Sequence, residues 1–140
     1  EATDRATETD HKLLHAAIAS FAGLLGYLYE NPEFAVSSLK KVKKEDCIGY
    51  VTMPRHFSFL ALSHVAMALE GKQPRQNLRQ CRVIMKMLRK WVAAGNINIR
   101  HFISLLEAEI ASLRAPETAA PLYEEAIKLA GRIAGFRHDK

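Results

Sequence analysis

The sequence predicts an all-α domain of six helices arranged as three antiparallel hairpins. Three observations carry this. Apolar residues recur at three- and four-residue steps through most of the chain, and strand-like alternation is confined to residues 50–53. Pro32, Pro74 and Pro116 stand 42 residues apart, each where one apolar helical segment ends and another begins. Proline suits the first helical position, where its missing N–H would be unpaired anyway. The first helices of the pairs start near residues 11, 55 and 98, a period of about 43, within the range of helical solenoids. A closed six-helix bundle with incidental spacing is the alternative.

Taken in order, residues 1–9 are polar and predict a flexible N-terminus, with Asp10 as the cap of the first helix. That helix carries Leu13, Leu14, Ala17, Ile18, Phe21, Leu24, Leu25 and Leu28. Gly23 and Gly26 within it cost about 1 kcal/mol each relative to alanine, which predicts close approach by a neighbouring helix. Asn31-Pro32 opens a second helix with Phe34, Ala35, Leu39 and Val42 as its stripe. Periodicity then fails over residues 43–54, the longest loop, with Gly49 as a breaker.

The third helix, about residues 55–70, is apolar nearly all round and so predicts burial on every side. The fourth places Leu78, Cys81, Ile84, Met85, Leu88, Trp91 and Val92 on one face and Arg75, Arg79, Arg82, Lys86, Arg89 and Lys90 on the other, and Gly95 ends it. The fifth spans about 98–113 and the sixth about 116–134, with Pro121 near its first turn and Gly135 at its end. The hairpins thus cover about 10–46, 54–94 and 97–135 of a single domain, 10–140.

At 140 residues, 49% hydrophobic and 25% charged, the chain has an ordinary soluble composition and enough length for a sizeable core. The longest apolar run, 57–69, is interrupted by Ser58, Ser63 and His64 and is too short to span a bilayer. The start has neither a basic region nor an apolar core of a signal peptide, and it begins at Glu1 rather than methionine. These features predict a cytoplasmic segment of a longer protein. Cys47 and Cys81 form no disulfide framework and no metal spacing, which fits a reducing compartment.

Two segments resemble tetratricopeptide hairpins. Leu25-Gly26 with Tyr29 matches the first-helix pattern of that family, Ala35, Leu39 and Val42 follow the second loosely, and Ala119, Tyr123 and Ala126 follow it well. The middle pair departs from it, with Asn77, Cys81 and Ile84 at the equivalent positions, and the period exceeds the roughly 34 residues usual for the family. Residues 88–138, including Leu88-Arg89-Lys90-Trp91 and Pro121-Leu122-Tyr123-Glu124-Glu125-Ala126, are similar to the helical-repeat region that follows the ATPase module in very large sensor histidine kinases and serine/threonine-kinase-like signalling proteins. The resemblance implies a tetratricopeptide-like α-α superhelix, with any kinase or ATPase chemistry outside these residues.

Candidate chemistry is sparse. Phe59-Leu60-Ala61-Leu62-Ser63-His64 is similar to the phosphoacceptor box of histidine kinases, but no acid or proline follows His64. A core or groove histidine is the plainer reading. His11 and His15 could share a helix face, yet no third metal ligand is near. Neither Glu107 and Glu109 nor Glu124 and Glu125 form a carboxylate dyad, and no phosphate loop or nucleophile elbow occurs. Trp91 continues the core stripe of Ile84 and Leu88.

The predicted function is therefore a non-catalytic protein–protein interaction or interdomain scaffold, with no cofactor and no metal. The partner is a protein or a neighbouring domain of the same chain, and apolar faces at the ends of the array predict self-association. His64, His101, Arg79, Arg82 and Lys86 are the candidate partner-binding residues. The net charge of +5, concentrated at 40–44 and 75–90, gives the alternative of a nucleic-acid-binding helical module, although a solvated helix face is the more common source of such charge. A small enzyme on a helical bundle is the third class and needs a cleft with convergent polar groups.

Overall fold

The computed structural model describes residues 2–43 and 52–133, with side chains described from residue 11 onward. Within them the chain is all-helical: α1 (Ala2–Leu28), α2 (Pro32–Leu39), α3 (Met53–Leu69), α4 (Pro74–Ala93), α5 (Arg100–Ser112) and α6 (Pro116–Ile133), with a short 3-10 turn, Ile97–Ile99, leading into α5. The expected loop features at Cys47 and Gly49, and the expected stop at Gly135, lie outside the described residues.

The punctuation follows local chemistry. Pro32, Pro74 and Pro116 each open a helix. Asn31 caps α2, its side-chain oxygen accepting the Phe34 N–H at 3.1 Å. Helices α1, α3 and α4 all end in paired reverse hydrogen bonds that satisfy the last carbonyls. At α3 the Gly71 and Lys72 N–H groups donate to the Ala68 and Met67 carbonyls, and at α4 the Gly95 and Asn96 N–H groups donate to Val92 and Trp91. Gly71 and Gly95 adopt the required left-handed backbone at φ +76° and +105°. At α1 the same position is held by Glu30, with φ +56°. Asp10 does not cap α1, which runs through it from Ala2. Alanines at 2 and 6 favour helix.

Packing is closest between α1 and α2, between α3 and α4, and between α5 and α6. Helix α3 sits in the middle, touching α1, α2, α4 and α5, as its all-round apolar character requires. Leu60, Ala61, Leu62 and Val65 of α3 meet Cys81, Ile84, Met85 and Leu88 of α4, and Leu106 of α5 joins them in the main core. Edge-to-face aromatic pairs tie the layers together. Tyr27 meets Phe59 at 5.7 Å, Phe59 meets Phe102 at 5.6 Å, and Phe57 meets Trp91 at 5.9 Å. Trp91 thus packs against the core rather than anchoring a surface.

Candidate interaction surface

Helix α1 buries four small residues and leaves most of its large ones exposed. Ala16, Ala19, Gly23 and Gly26 face the domain. Leu14, Ile18, Phe21, Leu25 and Leu28, read from the sequence as a helical apolar stripe, are all more than half exposed, and Tyr29 beside them is 80% exposed. The inversion has a steric cause. A side chain on Gly23 would collide with Leu39, and a Cβ on Gly26 would lie 2.8 Å from the Phe34 ring and 3.0 Å from the Ala35 nitrogen. With α2 this close, no side chain fits at positions 23 and 26, and most of the large residues of α1 face out, Tyr27 against Phe59 being the exception.

Two buried histidines hold the helix joints. His56 on α3 donates Nε2–H to the Leu39 carbonyl at 3.1 Å, satisfying a carbonyl at the end of α2, and its Nδ1 lies 2.7 Å from the Ser20 hydroxyl of α1. Ser20 Oγ is also 2.7 Å from the Ala16 carbonyl. One residue per helix thus meets at this joint. His64, near the C-terminal end of α3, donates Nδ1–H to Asn77 Oδ1 at 2.6 Å, and Asn77 Nδ2 donates to the Lys72 carbonyl at 2.7 Å. This network fixes the turn between α3 and α4. Burial pushes both imidazoles below the usual histidine pKa, opposed at His56 by the Leu39 carbonyl and at His64 by Asn77.

The Ser20–His56 contact has the partners of a nucleophile and its base, and it borders a cleft of about 140 Å³ with Arg55, Phe21 and Phe59 on its walls. Ser20, however, lies in the interior of α1, where neighbouring backbone N–H groups are engaged in the helix rather than pointed at an oxyanion. The pair acts as a latch between helices. Neither Ser20, His56 nor Asn77 stood out in the sequence, because their partners come from 36, 17 and 13 residues away.

The candidate partner-binding residues do not converge. His64 is only 2% exposed and lies among the α3–α4 contacts. His101 opens α5, half-buried against Phe102 at 4.2 Å, and its buried Nδ1 has no hydrogen-bond partner. Burial lowers its pKa, while the Asn98 carbonyl nearby pulls the other way. Arg79, Arg82 and Lys86 line the solvent side of α4 and are exposed. Arg89 on the same helix is neutralised by Glu107 of α5 at 2.7 Å. His11 and His15 are exposed, and among the described residues no group of three metal-ligating side chains forms. No described helix is long and apolar enough to cross a membrane.

Comparison with known proteins found no matching family model, no matching curated protein and no matching solved structure.

Proposed function

We propose that this chain is a non-catalytic scaffold segment that docks a protein surface through helix packing. The reading takes α1/α2, α3/α4 and α5/α6 as successive hairpins of a tetratricopeptide-like superhelix, of the kind the sequence resembles in large multidomain signalling proteins. The closest packing within those three pairs supports it. The observation that carries the function is the outward apolar stripe of α1. Large side chains left in water on one helix while small ones are buried on its other side indicate a face meant to be covered. Scattered exposed apolar residues would mean little; a continuous row means a partner.

A photo-reactive phenylalanine analogue in place of Phe21 tests this in a cell lysate. The expected result is protein adducts that disappear when the chain is unfolded in urea. Absence of any adduct overturns the reading.

A second reading rests on the exposed row Arg79, Arg82 and Lys86 of α4, which suits the phosphate backbone of a nucleic acid. It predicts binding that falls steeply with salt, and no binding of duplex or single strands at low salt removes it.

A further inference from the structure

We infer that the stripe of α1 is a coiled-coil seam, and that its occupant is α1 of a second copy of this chain. The inference rests on the scaffold reading above and names the partner. Leu14, Ile18, Phe21, Leu25 and Leu28 follow one another at steps of four, three, four and three residues. That alternation keeps a row facing another helix along its whole length, because it averages the 3.5-residue repeat of a two-helix seam. Ile18 and Leu25 take one seam position, and Leu14, Phe21 and Leu28 take the other. Ile18 at the first, with Leu14 and Leu28 at the second, is the combination that suits two strands.

The flanks argue for an identical partner. Beside the seam stand His15, Ala17, Ala22, Leu24 and Tyr29, with no aspartate, glutamate, lysine or arginine among them. Charges at these positions set partner choice in coiled coils, and like charges reject a second copy. Over residues 14–29 these flanking positions put no like charges against a copy of α1.

The area fits too. Six side chains, the seam and Tyr29, are more than half exposed; since an aromatic side chain buries roughly 150–250 Å² and an aliphatic one less, they present on the order of 600 Å². A standard interface covers about 800 Å² per partner, whereas the largest apolar patch on a typical monomer is about 300–600 Å². A two-fold pairing covers the same patch on both copies and closes the assembly at two. The small-residue face of α1 stays against its own domain, so the helix becomes covered on both sides.

Sedimentation equilibrium of the purified chain, with the Phe21→Glu/Leu25→Glu variant beside it, tests the inference. The expected result is a dimer for the unsubstituted chain and a dissociation constant raised by about 30-fold or more in the variant, as for central interface residues, with helicity by circular dichroism retained. Should the charged variant lose helicity, the near-isosteric photo-reactive analogue at Phe21 in the purified chain is decisive, a covalent dimer being expected. A monomer at every concentration with no covalent dimer overturns the inference. If lysate adducts with a different protein then appear, the scaffold reading stands without the second copy. If none appear, both fall.

Discussion

Gly26 of α1 and Ala35 of α2 bring two helix backbones into direct contact: a Cβ on Gly26 would sit 3.0 Å from the Ala35 nitrogen and 3.1 Å from its Cα. Backbone cannot rotate away as a side chain can. Gly26→Ala gains about 1 kcal/mol of helix propensity yet forces α2 aside, an overpacking cost of about 1–3 kcal/mol. The expected outcome is net destabilisation, read as a lower urea midpoint. A raised midpoint would mean that α2 gives way easily.

Glu30 carries a left-handed backbone that glycine adopts without penalty. Its N–H donates to the Tyr27 carbonyl, and that of Asn31 donates to Gly26, so the turn is fixed by hydrogen bonds rather than by residue type. Glu30→Gly should stabilise the fold by about 1 kcal/mol. Gly95→Ala, at the corresponding place after α4, should destabilise it by a similar amount. Chemical denaturation of the pair measures both signs.

His56 and His64 are held below the ordinary histidine pKa by burial. Below pH 6.5, the unfolded-state value, the unfolded chain takes up protons that the folded joints resist, so stability falls with pH until the lowered folded values are passed. Above that window the contribution is fully present. Melting temperature should therefore drop between about pH 7 and pH 5, and a His64→Gln variant should show a shallower drop. Parallel curves for the two proteins would assign the pH dependence to other groups.

Cys81 is fully enclosed, and burial pushes its thiol up to about 12, with Arg82 and Arg89 pulling weakly the other way. The reactive thiolate is therefore scarce at neutral pH. In a Cys47→Ser background, Cys81 should react with a thiol reagent only as fast as the domain opens, and readily in urea. Fast labelling in native buffer would place Cys81 at the surface.

Much of the helical plan was legible in the residues. Pro32, Pro74 and Pro116 start helices because the first helical position needs no N–H, and Gly71 and Gly95 end helices because they adopt the left-handed backbone there. The apolar face of α4 from Cys81 to Leu88 is the buried face. Gly23 and Gly26 foretold close helix approach. What periodicity could not tell is which side of α1 is covered. An apolar stripe looks alike whether it meets the core or water, and Ala16, Ala19, Gly23 and Gly26 pack tightly without a strong hydrophobic signal. Glu30 was hidden because a left-handed turn residue is normally glycine. The joints at Ser20–His56 and His64–Asn77 were hidden for another reason: polar groups in a core are paired through the fold, not through local spacing.

The inverted faces of α1 are the central claim, and thiol accessibility tests them most directly. In a background of Cys47→Ser and Cys81→Ala, single cysteines are placed at Ala16, Ala19, Phe21 and Leu25 and modified at high dilution, where copies are apart. Positions 21 and 25 should react at least about tenfold faster than 16 and 19, and should become protected as concentration rises. Faster modification at 16 and 19 would contradict the account.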